Sequence, residues 1–133
     1  MAREWQQTRM PEYILPNAVY YQSLWAVRDL ERMERRMEEL TKEADRRKSS
    51  SVLCDGPANS FGRPTEKKAL EVISLMERIG AIKRALSIVP EVYRPYVMKS
   101  IVERDPGTRF PDKIWKIWKQ RFLFQVAENL SLY

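Results

Sequence analysis

Apolar side chains recur in this sequence at alternating steps of three and four residues, and that periodicity restricts the fold more than any other feature. Val72, Leu75, Ile79, Ile82, Leu86 and Val89 form one series, flanked by Ala69, Ile73, Met76 and Ala85. Such steps hold side chains on one face of an α-helix, whereas a half-buried strand requires strict alternation. The flanking residues widen the face, as expected of a helix packed in a core. A second series, Tyr20, Leu24, Val27, Leu30, Met33, Met37, Leu40 and Ala44, predicts a long helix over about 17–48, with Asn17 behind Pro16 as its cap.

The second stripe is about one residue wide and lies among charges, ERMERRMEELTKEADRRK. Glu31–Arg35, Glu38–Lys42 and Glu43–Arg47 are placed to pair one turn apart, while Glu34 and Glu38 repel. So narrow a stripe has the form of a coiled-coil seam. Two partners fit it: the remainder of this chain, or another helix in a second copy or a different protein.

Prolines and glycines cut the pattern into pieces. Pro11 and Pro16 oppose a continuous helix over residues 1–16, which predicts an extended arm. From Ser49 to Pro64 the sequence SSSVLCDGPANSFGRP reads as a hinge. Pro64 suits the first turn of the next helix and Pro90 its end. A shorter helix is expected from Pro95 to Arg104, a break at Asp105-Pro106-Gly107, and a last helix from Pro111-Asp112 to about Leu130. The fold class is therefore all-α, in three sections: 1–48 as arm and long helix, 49–64 as hinge, and 65–133 as a compact three-helix unit.

Composition narrows the chemistry. The chain has no histidine, which removes the usual neutral-pH base and the His-dependent triads and zinc sites. Its single cysteine, Cys54, permits neither an intrachain disulfide nor a thiolate cage, and it lies in the hinge with no sequence-adjacent base. The four glycines fit no phosphate-binding or dinucleotide spacing. The carboxylates of Glu31, Glu34, Glu38 and Glu39 lie among arginines, as on a solvated ion-pair face. We therefore expect no enzyme, no cofactor and no metal site. No apolar run reaches transmembrane length and MAREWQQTRM lacks a signal-peptide core, so the expected setting is soluble and cytoplasmic, away from membranes.

The net charge is +6, from 24 basic and 18 acidic residues. Residues 1–48 hold ten basic and nine acidic side chains, and residues 49–133 hold fourteen and nine, so the excess lies beyond the hinge. Lys113, Lys116, Lys119 and Arg121 cluster at the start of the last helix with no acid between them. A 100° wheel puts Ile114, Trp115, Trp118, Phe122 and Val126 on one face and Lys113, Lys116 and Gln120 on the opposite stripe, with Lys119 beside it. A DNA-reading helix combines an apolar docking face with cations for phosphates and an amide or guanidinium for base edges. On that pattern Lys113, Lys116, Lys119 and Arg121 are candidate phosphate contacts and Gln120 a candidate base contact. The same face also suits simple solvation, an acidic protein or a lipid surface.

The charged amino-terminal helix, the Ser/Gly-rich linker, Pro64-Thr65, IVPEVYRPYV at 88–97 and KIWKQRFLFQVAENL at 116–130 resemble the small phage and prophage transcriptional regulators of the ArpU and RinA type. The similarity covers about residues 64–133, and the first 48 only in general character. It implies a carboxyl-terminal half like sigma-factor region 4, with a helix-turn-helix that controls late phage genes. Asp112 to Gln120 would match the recognition helix, Trp118 its buried aromatic, and Pro90 to Arg94 the entry to the preceding helix. The family places a further short helix where this chain has only Asp105 to Phe110, so the motif is shortened. The expected partners are double-stranded DNA and, beside it, RNA polymerase or another phage protein. Two other readings stand beside this one: a helical interaction protein that self-associates through its long amino-terminal helix without specific DNA binding, and a packaging component of the small-terminase kind.

Overall fold

The computed structural model describes residues 10–51 and 62–133, with side-chain surroundings for 10–46 and 66–133. All regular structure among the described residues is helical, as the periodicity predicts: a 3-10 turn, η1 (Pro11–Tyr13), then α1 (Asn17–Arg28), α2 (Leu30–Ser51), α3 (Gly62–Leu86), α4 (Arg94–Val102) and α5 (Trp115–Asn129). None of the described helices is long and apolar enough to cross a membrane. The hinge centre, with Cys54, lies outside the described residues.

The single helix expected over 17–48 is two helices. α1 ends at Arg28 and Asp29 forms a turn between them, its N–H reaching the carbonyls of Trp25 and Ala26. Asn17 does not cap α1, because Pro16 holds the extended N-cap position and accepts the Tyr20 N–H through its carbonyl. Tyr20, Leu24 and Val27 are buried on α1, and Met33 and Leu40 on α2. Periodicity alone cannot register a one-residue interruption, because the apolar spacing in the sequence runs on across it.

The chain divides into two compact units. One is formed by the residues up to Asp29 together with Ala81–Tyr133; the other is Leu30–Gly80. The division falls at the α1–α2 break and inside α3, whereas the sequence places its sections on either side of the hinge. Both flanks of the hinge belong to the Leu30–Gly80 unit.

In the Leu30–Gly80 unit, the Arg36 guanidinium donates to both carboxylate oxygens of Glu71, at 2.7 and 3.3 Å. Lys68 pairs with Glu43. These two bridges fix an antiparallel register of α2 and α3 in which Met33 is level with Leu75 and Met37 with Val72. Glu38–Lys42 forms as expected, at 3.3 Å. Glu43 also reaches Lys68 on α3, a partner that a one-helix pattern cannot show, while the side chain of Arg47 lies outside the described residues. Leu70, Ile73 and Met76 are 66%, 52% and 55% exposed, so the wide apolar face of α3 is only partly buried.

The other unit is organised around α5, which packs against α1, α4 and η1. Phe122, Leu123, Val126 and Ala127 are buried, with Val97 and Ile101 from α4 and Ala81, Ile82 and Ala85 from the end of α3. Polar tethers accompany this packing. Asn129 donates to the Ala81 carbonyl at 3.0 Å, Arg28 to the Ile101 carbonyl at 2.7 Å, and Arg94 to the Val89 and Ser87 carbonyls beyond α3. The carbonyls of Ile101, Val89 and Ser87 lie at or beyond helix ends, where no helical N–H takes them, whereas Asn129 adds a second donor to a carbonyl within α3.

Candidate nucleic-acid interface

The interface expected from the sequence begins at the connection between α4 and α5. It is longer than the break at Asp105-Pro106-Gly107 suggests: residues 103–114 separate the two helices. Arg104 and Gly107 turn through left-handed conformations, with φ of 56° and 77°. Asp105 Oδ1 accepts the Gly107 N–H at 2.9 Å, and Asp112 Oδ1 accepts the Ile114 N–H at 2.8 Å. These side-chain acceptors hold local turns in place of helix. Hence α5 starts at Trp115 instead of Pro111-Asp112. Phe110 fastens the connection by packing between Tyr96 and Trp115, with ring centroids 4.8 and 5.1 Å away.

Asp112 also accepts from the Tyr93 hydroxyl at 3.4 Å. Burial, and then the Asp112 charge, raises the Tyr93 pKa above its ordinary value of 10.0. Through this bond Tyr93, at the start of α4, meets the carboxylate that precedes α5.

The five candidate contact residues do not form one projecting stripe. Lys113 is exposed, just before α5. Lys116 is half-buried, its ammonium 5.9 Å from the centroid of the Trp115 ring. Lys119 turns toward α4, where Nζ donates to Ser100 Oγ at 3.0 Å. Gln120, expected on the outer face, is only 6% exposed and donates through Nε2 to the Met10 carbonyl at 3.2 Å. Arg121 lies against two rings, its Cζ 5.0 Å from Trp118 and 5.3 Å from Tyr13. The assignment of Gln120 as an outward-facing base contact is thus corrected. On the opposite side of the expected pattern, Ile114 is exposed and Trp118 half-buried.

The reason lies in the number of neighbours. A helical wheel presumes one packed face, but α5 is covered by α1, α4 and η1 from several directions. Trp115, Phe122 and Val126 occupy the predicted apolar face, and burial extends around the helix to Leu123, Ala127 and Gln120. What projects is the connection and the entry to α5, where Arg109 and Lys113 are exposed beside the half-buried Lys116.

Two arrangements were absent from the sequence reading. The expected extended arm contains η1, which rests on α5 through Met10 and Tyr13, with Tyr13 edge-on to Phe124 at 5.3 Å. Trp25, 54% exposed on α1, carries the Arg28 and Arg104 guanidinium groups at 4.9 and 5.5 Å from its ring centroid. The available signal was that Trp25 falls off the Tyr20–Leu24–Val27 stripe; its arginine partners come from tertiary structure.

Comparisons with protein-family models, with curated proteins and with solved structures gave no match.

Proposed function

We propose that this chain is a DNA-binding regulatory protein of the phage type, acting in the cytoplasm, in which the unit built around α5 engages the phosphates of double-stranded DNA. The observation that carries this reading is the distribution of charge. The segments up to Asp29 and from Ala81 onward contain 13 basic and 8 acidic residues, for +5, while Leu30–Gly80 contains 11 and 10, for +1. Cations surplus to internal pairing attract polyanions and release counterions on binding. Exposed Arg109 and Lys113, with Lys116 beside them, place part of this charge at the entry to α5.

Supporting the regulatory part of the reading is the resemblance of residues 64–133 to the ArpU and RinA type, which implies late phage genes as the target and RNA polymerase or another phage protein as a further partner. The twelve-residue connection favours a mode that relies on phosphates over the deep insertion of a short-turn helix-turn-helix. The test is titration of duplex DNA across a series of salt concentrations. Lys113→Ala and Lys116→Ala should each reduce the log–log salt slope by about one. A double variant with unchanged affinity and slope refutes the assignment.

A second reading, a helical interaction protein, is favoured by one observation: the exposed Leu70, Ile73 and Met76 on α3. Light scattering distinguishes it. A chain that stays monomeric over a wide concentration range while binding duplex DNA removes self-association as its primary role.

A further inference from the structure

The amino-terminal arm covers two of the residues whose sequence position best suits nucleic-acid contact, and it does so with an imperfect fit. η1 is a single 3-10 turn. Its described ties to α5 are the Gln120–Met10 hydrogen bond at 3.2 Å, the Tyr13–Phe124 ring pair and the Arg121–Tyr13 contact. Beneath it, Gln120 Oε1 and Arg121 Nε are buried without a hydrogen-bond partner among the described residues. Buried polar atoms without partners are costly; water would relieve both, and a ligand oxygen would accept from the Arg121 Nε–H. The docked arm therefore completes the packing of α5 while leaving polar groups that favour its removal.

The attachment also has a natural limit. Leu15 is 2% exposed and anchors the chain immediately before α1, while Pro11 and Glu12 are exposed and Tyr13 and Ile14 half-buried. The segment Met10–Ile14 can lift with Leu15 in place. Segments with few buried contacts open at lower free energy than the core around them.

We infer that Met10–Ile14 is an intramolecular cover over α5, and that its release exposes Arg121 and Gln120 to the nucleic-acid backbone. This inference rests on the DNA reading above and adds regulation to it. With the cover down, contact is confined to the entry of α5. With the cover lifted, Arg121 extends the cationic surface along the helix and gains a phosphate in exchange for the Tyr13 ring. Any partner that binds the arm would then strengthen DNA binding, because release and binding are linked. Glu12, an acid on the covering segment, leaves the surface with it.

The full-length Tyr13→Ala chain tests this, since it removes the ring over Arg121 and Phe124 and keeps Leu15. Amide exchange should accelerate at Tyr13 and Ile14, whose N–H groups bond within η1. The salt slope on duplex DNA should steepen by about one. Arg121→Ala should abolish the gain in the Tyr13→Ala chain and lower the slope of the otherwise unchanged chain by clearly less; Arg121→Gln serves where the alanine variant melts early. Fast exchange with an unchanged slope overturns the cover, as does an Arg121→Ala effect equal in both backgrounds or an arm whose exchange is unaltered by Tyr13→Ala. If Lys113 and Lys116 variants lose binding while Tyr13→Ala gains nothing, the cover alone fails. If neither the natural chain nor Tyr13→Ala binds duplex DNA at low salt, the DNA reading fails and the cover with it.

Discussion

At the scale of single residues, the connection between α4 and α5 shows how backbone conformation and side-chain packing fix one another. Gly107 has a φ of 77°, and a Cβ there would collide with Trp115 Cζ2 and lie 3.0 Å from Phe110 Cδ2. Gly107→Ala should cost about 2–4 kcal/mol, from the left-handed backbone together with displacement of the Trp115 ring. Urea denaturation measures this, and a loss below about 1 kcal/mol would mean the ring is not held as described. Ser131 is a milder case. It has a φ of 58°, and the Leu132 and Ser131 N–H groups close the end of α5 on the Ala127 and Glu128 carbonyls at 2.8 and 3.0 Å. That is a Schellman ending with serine where glycine fits best, so Ser131→Gly should raise the melting midpoint, by about 0.5 kcal/mol in stability. The glycine was legible as a break in Asp105-Pro106-Gly107. Its need for an absent side chain was not, because the Trp115 ring that fills the space comes from the neighbouring helix.

At the scale of elements, each helix is stabilised by what it packs on more than by its own propensity. Phe122 is fully buried on α5, and Phe122→Ala should cost about 3–5 kcal/mol in chemical denaturation. The α2–α3 pair relies more on charge. Hydrogen bonding from Arg36 holds the Glu71 carboxyl below its ordinary value of 4.5. A depressed folded-state pKa adds stability in full above the unfolded value, and the gain disappears as pH falls through the folded value. Thermal melts should therefore lose stability on acidification below about 4.5, and Glu71→Gln should flatten that acid limb while lowering stability at neutral pH. An acid limb of unchanged steepness in Glu71→Gln would assign the effect to other carboxylates. The sequence marked α2 as a charged helix, and Glu38–Lys42 followed from spacing alone. The Arg36–Glu71 and Lys68–Glu43 bridges span 35 and 25 residues and arise only once the two helices are antiparallel.

For the whole molecule, the sequence gives a basic chain and the tertiary structure assigns the charge. Net +5 belongs to the segments up to Asp29 and from Ala81, so DNA affinity should depend on cations there. Charge reversal of the exposed Lys67 and Arg78, both in the near-neutral unit, should leave the salt slope within about half a unit, against a fall of about one for Lys113→Ala. Equal effects from both units would reduce the proposed interface to diffuse attraction. The all-α class, the approximate helix positions and the break before α5 were determined by the sequence alone, since apolar spacing and Pro/Gly punctuation are local properties. The interruption at Asp29, the late start of α5 and the division inside α3 were decided by tertiary structure. So was the fate of the cationic stripe. Whether a lysine or glutamine on a helix faces water depends on how many neighbours surround that helix, and α5, enclosed by α1, α4 and η1, turns Lys119 and Gln120 inward where the wheel directed the stripe outward.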